Sequence, residues 1–88
     1  MPVKIEVFCS PYCPHCPRAV EVVNTVAKRF GEKVTVEEIN TFTPEGEEKA
    51  DAYGIFAVPT IVINGKVKFT GAPSEQEFLA TITAEVEK

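Results

Sequence analysis

The chain has 88 residues, 44% of them apolar and 25% charged, with 13 acidic against 9 basic side chains and a net charge of −4. This length predicts one small domain over residues 1–88, and the composition excludes a disordered chain. The acidic excess argues against a nucleic-acid-binding surface, and apolar runs as short as Ile61-Val62-Ile63 predict no membrane span.

Val3, Ile5 and Val7 alternate with Lys4, Glu6 and Phe8, the period of a strand with β-branched residues on one face. Cys9-Ser10-Pro11-Tyr12 ends it, because Pro11 removes a ladder donor and Ser-Pro favours a turn. Ala19, Val22, Val23, Val26, Ala27 and Phe30 then recur at helical spacing, with Arg18, Glu21, Asn24 and Lys28 opposite. Pro14 and Pro17 suit a helix start, where missing N–H groups do little harm, and Gly31 supplies the stop. The predicted helix runs from Cys13 or Pro14 to Phe30, with both Cys13 and Cys16 in its first turn.

Lys33 to Asn40 reads as a second strand, so the chain opens with a βαβ unit of parallel strands and right-handed crossover. Thr43-Pro44 reads as an N-cap and first helical residue, with Glu45, Glu47 and Glu48 near the positive end of the dipole. This second helix is expected to end at Tyr53-Gly54 and, with few apolar residues, to cover the sheet loosely. Asn64-Gly65 between two apolar runs predicts a tight hairpin, and Lys66 and Lys68 suit its exposed edge. Ser74 and Glu77 form a capping box before a last helix that presents Phe78, Leu79, Ile82 and Val86.

All three cysteines, Cys9, Cys13 and Cys16, fall within eight residues, a cluster that means chemistry or metal and not a disulfide scaffold. The spacing of Cys13 and Cys16 lets their sulfurs meet in a small disulfide loop. A helix N-terminus offers unpaired N–H groups and a partial positive charge, which favour the thiolate, the reactive form. Cys13 is therefore the expected nucleophile, and Cys16, one turn in, the resolving thiol. Pro14 pre-sets the backbone, and His15 adds a dipole, and below its pKa a charge, near the Cys13 sulfur. Both are expected to tune the Cys13 pKa and to make the disulfide more oxidising.

Two buried structural cysteines, or part of a zinc site, are the alternatives for this motif. Zinc wants four ligands, but His15 is the only histidine and sits between two of the cysteines. Cys9, Cys13 and Cys16 also show the C-x3-C-x2-C spacing of radical iron–sulfur enzymes, whose partial barrel an 88-residue chain cannot supply. Cys9 is either a small apolar residue at a strand end or a third redox thiol. Val58-Pro59-Thr60 holds either a plain strand-opening proline or a cis-proline in a tight turn.

Taken together, a strand, Cys13-Pro14-His15-Cys16 at a helix start, Val58-Pro59-Thr60 before a hairpin and Gly71 before the last helix resemble the thioredoxin superfamily. The lead-in Pro11-Tyr12-Cys13-Pro14 is similar to glutaredoxins, and Tyr53-Gly54-Ile55 to Val58-Pro59-Thr60 is similar to thioredoxins. Small archaeal-type redox proteins share that blend. The resemblance implies an α/β thioredoxin fold of order βαβαββα, a four-stranded mixed sheet flanked by three helices. It implies a cis Pro59 against the cysteines and a substrate groove bordered by Tyr12, Val58, Pro59, Thr60, Gly71 and Ala72. Gly71 and Ala72 fall where glutaredoxins approach glutathione, and Ser74 could take its carboxylate.

The pattern also departs from the family. Pro14-His15 stands between the cysteines where thioredoxins have Gly-Pro and glutaredoxins commonly Pro-Tyr, and Tyr12 replaces a Trp. The buried acid of thioredoxins falls on Val7, while Glu6 is expected to face the other way. Pro73-Ser74-Glu75 replaces the acidic pair of many glutaredoxins.

The expected function is a thiol–disulfide oxidoreductase that reduces protein or glutathione disulfides through Cys13 and Cys16. Its expected partners are disulfide-containing proteins and a thioredoxin-reductase-type enzyme or glutathione. A cytoplasmic monomer with no bound cofactor, a redox-active Cys13–Cys16 disulfide, and glutathione as a possible ligand completes the expectation. The alternatives are a metal or iron–sulfur module using Cys9, Cys13 and Cys16, and a non-catalytic interaction domain.

Overall fold

A computed structural model describes residues 2–11 and 13–87. Its elements are β1 (Val3–Cys9), α1 (Cys16–Phe30), β2 (Val34–Asn40), α2 (Pro44–Tyr53), β3 (Thr60–Ile63), β4 (Lys66–Thr70) and α3 (Glu75–Val86). A short 3-10 turn, Gly31–Lys33, joins α1 to β2. The strands form one mixed sheet in the order β2-β1-β3-β4. β1 pairs parallel with β2 from Val3↔Val34 to Cys9↔Asn40 and antiparallel with β3, and β3 pairs antiparallel with β4. Among the described residues no helix is long and apolar enough to cross a membrane.

The local signals act as their chemistry requires. Asn64 and Gly65 both have positive φ, 50° and 81°, which lets a two-residue turn follow the twist of β3 and β4. Thr43 Oγ1 accepts from the Gly46 N–H at 3.0 Å and Ser74 Oγ from the Glu77 N–H at 3.1 Å, each satisfying an orphan donor of its helix.

The helix that carries the cysteines begins later than the sequence suggests. α1 starts at Cys16 with His15 as N-cap, so Cys13 lies in the turn before it. Pro17 is the reason. It has no N–H to give the Cys13 carbonyl, so that carbonyl takes a tighter bond from the Cys16 N–H at 3.4 Å.

The sheet has two covered faces. On one, Val3, Ile5, Val7, Val23, Val26, Phe78 and Ile82 form the main core with α1 and α3. On the other, Phe8, Ile39, Ala50, Ile55 and Val62 form a smaller core under α2. From Ile5 to Phe8, β1 therefore alternates between two buried faces, not between core and solvent, and Glu6 is 3% exposed. As expected, Glu6 points away from the side of Val7. Its carboxylate accepts from the Tyr53 hydroxyl at 2.8 Å, and the Tyr53 ring meets Phe8 edge-on at 5.8 Å. That bond also pushes the Tyr53 hydroxyl pKa up.

This tie fixes the end of α2, from which the chain passes directly to the Val58-Pro59 loop. Tyr53→Phe keeps the ring and removes the hydroxyl that donates to the Glu6 carboxylate. The expected result is a loss of about 1–3 kcal/mol in thermal or denaturant unfolding. An unchanged midpoint would show that the carboxylate has no need of that partner.

Candidate active site

Strand β1 ends the sheet's central position at Cys9, and the chain turns through Ser10 and Pro11 to reach Cys13. The Cys13 N–H donates to the Ser10 carbonyl at 3.1 Å, which closes this turn. The β1 backbone is held at the same level by Thr41. Its N–H and its hydroxyl both donate to the Cys9 carbonyl, at 2.9 and 3.2 Å.

Cys13 is half-buried and Cys16 is 5% exposed. Three contacts favour the Cys13 thiolate. The Cys16 thiol and the backbone N–H groups of His15 and Cys16 hydrogen-bond to it, and together they hold its pKa below the ordinary thiol value. The Cys13 thiol in turn points at the Val58 carbonyl, 3.5 Å away. Burial pushes the Cys16 thiol up, against a hydrogen bond from Cys9 and one from the Ser10 backbone. Burial pushes the Cys9 thiol up more strongly, and its hydrogen bond to Cys16 adds to that. The Cys13 thiol is thus favoured as thiolate, whereas Cys9 and Cys16 are held as thiols.

His15 reaches Cys13 through its backbone N–H, while its ring is exposed; the imidazole does not figure among the groups that lower the Cys13 pKa. Pro14 is exposed in the turn. Tyr12 lies outside the described residues.

The Val58–Pro59 peptide is cis. Pro59 is buried, and its carbonyl accepts from the Gly71 N–H at 2.7 Å, which ties the start of β3 to the turn before α3. An open groove of about 480 Å³ runs along this seam and is lined by His15, Arg18, Val58, Pro59, Gly71 and Ala72, with Pro73 and Ser74 at its end. Thr60, expected at the groove, is not among its lining residues. It is 2% exposed, and its hydroxyl is turned inward onto the Ala57 carbonyl at 2.6 Å. Pairing in β3 buries the side chain on the face that the groove does not share. The Gly71 amide is likewise committed to Pro59.

A second opening, of about 250 Å³, lies on the other side of Val58 and is bordered by Ser10, Phe42, Ile55 and Phe56. Phe56 is 93% exposed and Phe42 62%. Neither stood out in the sequence. The available signal was an aromatic residue in the irregular stretch just before Val58-Pro59, where no helical or strand period demands one. Arg18 reads in the sequence only as part of the polar face of a helix. Among the described residues no group of three or more His, Cys, Asp or Glu side chains is placed to hold a metal ion.

A family model described as "Thioredoxin domain" matches residues 3–83. The chain is 52% identical over 87 residues to a "Probable Thioredoxin" of Methanothermobacter marburgensis, covering 99% of this chain and 100% of that one. It is 54% identical over 80 residues to a "Thioredoxin" of Methanocaldococcus jannaschii, covering 91% and 92% of the two chains. A solved protein disulfide oxidoreductase from Aeropyrum pernix superposes with a TM-score of 0.83 at 36% identity, over 98% of this chain and 38% of that one.

Proposed function

The chain belongs to the thioredoxin family, and we propose that Cys13 and Cys16 are the dithiol through which it works as a thiol–disulfide oxidoreductase. The observation that carries this assignment is the place of Cys13 in the turn before α1, its thiol 3.5 Å from the carbonyl of the cis Val58–Pro59 peptide and Cys16 buried at the first residue of the helix, where the Cys16 thiol and two backbone N–H groups lower the Cys13 pKa. Donors aimed at one sulfur stabilise its thiolate, and the thiolate is the nucleophile.

Cys13 attacks one sulfur of a substrate disulfide. The S–S electron pair leaves on the other substrate sulfur, which takes up a proton. A mixed disulfide between Cys13 and the substrate remains. Cys16 then loses its proton and attacks the Cys13 sulfur, and the second substrate sulfur leaves as a thiol. Two electrons have moved, and the protein is left as the Cys13–Cys16 disulfide. Pro14 and His15 pre-set the turn that aims the two amides. Val58 presents its backbone beside Cys13, and an extended substrate lies along it, with Pro59, Gly71 and Ala72 as the floor of the groove. The reducing cytoplasm is the compartment that suits a working dithiol.

Disulfide-bearing substrates and a reductase are the partner classes that go with the family. Protein disulfides suit this groove better than glutathione, because the Gly71 amide is already bonded to the Pro59 carbonyl. The oxidised protein should accordingly be reduced by NADPH and a thioredoxin-reductase-type enzyme much faster than by glutathione at matched concentrations. Faster turnover with glutathione would replace this reading with a glutaredoxin-type one.

A further inference from the structure

We propose that the two openings on either side of Val58 read the flanks of a substrate's reactive cysteine by opposite charge: an acidic side chain beside Arg18, and an apolar side chain with a basic neighbour beside Phe56. This rests on the roles of Cys13 and Cys16 proposed above and names the class of disulfide protein they serve.

Val58 borders both openings, and its carbonyl lies 3.5 Å from the Cys13 thiol. A substrate segment whose cysteine sulfur reaches Cys13 therefore has one flank toward Pro59 and the other toward Phe56. In an extended chain the second and third residues from that cysteine lie about 7–10 Å away, far enough to enter the two openings.

The two sides carry opposite charge. On the Pro59 side the titratable residues that line the groove are His15 and Arg18, and no carboxylate lines it. Arg18 is exposed and has no ion pair among the described residues. Glu75, which follows the groove residue Ser74, pairs instead with Arg29 at 3.8 Å. The Arg18 guanidinium thus faces a wall of Pro59, Ala72 and Pro73 with its donors available, and a carboxylate can accept two of them in parallel.

On the Phe56 side the charged residues at the opening are Glu47 and Asp51, exposed and one turn apart on α2. Like charges at that spacing repel. No cation of the chain relieves them: Lys49, the only basic residue of α2, donates to Glu37 on β2 at 3.3 Å, and neither acid has an ion pair among the described residues. The same opening holds the exposed rings of Phe42 and Phe56 together with Ala50 and Ile55, which are buried. An apolar side chain that covers those rings removes them from water, and a basic neighbour meets two carboxylates. A substrate with its charges in the reverse order sets acid against Glu47 and Asp51 and base against Arg18. The asymmetry therefore rejects one order as well as attracting the other.

The test uses peptides whose single cysteine is disulfide-bonded to a chromogenic aromatic thiol. Cys13 attacks the peptide sulfur, the S–S electron pair leaves on the aromatic thiolate, and release of that thiolate is the readout. One peptide carries Glu on one flank of the cysteine and Leu-Lys on the other, a second carries them in reverse order, and a third has Gln in place of both charges. One charged order is expected to react about tenfold faster than the other, from two attractions gained and two repulsions avoided at exposed sites, with the neutral peptide between them. High salt is expected to shrink the difference. Arg18→Glu combined with Asp51→Lys is expected to reverse the preference. Arg18→Gln and Asp51→Asn, each expected to shrink it, take the place of the double variant if that one fails to fold. Equal rates for the two orders in the parent protein overturn the proposal. So does a preference that persists unchanged in the charge variants, which would mark shape and not charge as its cause. Release at the parental rate in Cys13→Ser is a separate failure, that of the dithiol assignment itself, and does not depend on peptide order.

Discussion

Replacing Cys13 with serine is expected to lower insulin-disulfide reduction at least about a thousandfold, to the uncatalysed background. A serine hydroxyl fits the same space and can meet the same amides, but it does not ionise near neutral pH and attacks disulfide sulfur poorly. Cys16→Ser is expected to fail in another way. The first attack proceeds, and the protein accumulates as a covalent complex with its substrate, visible on a non-reducing gel and released by added thiol. The pH dependence separates the two cysteines further. Contacts from Cys16, His15 and Cys16's own amide lower the Cys13 pKa. Alkylation of the reduced protein is therefore expected to inflect below the roughly 8.5 of a free thiol, fast above the inflection and slow below it. Full activity in Cys13→Ser would remove the dithiol mechanism altogether.

The second large effect concerns stability and sits away from the sulfurs. Gly46 is the third residue of α2, and a glycine-to-alanine change inside a helix ordinarily stabilises by about 1 kcal/mol. At this position the sign is expected to reverse. A Cβ on Gly46 would run into the Asn40 carbonyl at the end of β2. That carbonyl cannot swing aside freely, since it accepts from the Thr43 N–H at 3.3 Å and the Thr43 hydroxyl at 2.9 Å. Moving α2 outward instead would open the smaller core at Ala50 and loosen the Tyr53–Glu6 tie. Overpacking of this kind costs about 1–3 kcal/mol, and Gly46→Ala is expected to lower the melting temperature by about 10 °C. A melting temperature equal to or above that of the parent protein would show that α2 sits less tightly on β2 than the geometry requires.

Gly46 also shows where reading a sequence stops. Nothing around it marks a close approach, because the atom that forbids a side chain belongs to the preceding strand. The same holds for Glu6. Period-2 alternation says that Glu6 and Val7 point to opposite faces, and they do. It does not say whether the second face is covered, which depends on α2 folding across it. The α1 start moved by a turn because the missing Pro17 N–H acts on a carbonyl four residues back.

The features that the sequence determined by itself are those whose causes lie within a few residues. Asn64-Gly65 makes its turn, Thr43 and Ser74 cap their helices, and the Cys13–Cys16 spacing brings two sulfurs together at a helix start. The tertiary structure alone decided what depends on residues far apart in the chain: the Val58 carbonyl 45 positions from Cys13, the inward turn of Thr60, and the carboxylate of Glu6 bonded to Tyr53. Backbone geometry carries local chemistry over one or two turns, whereas burial and long-range contacts exist only once the sheet has brought its faces and edges together.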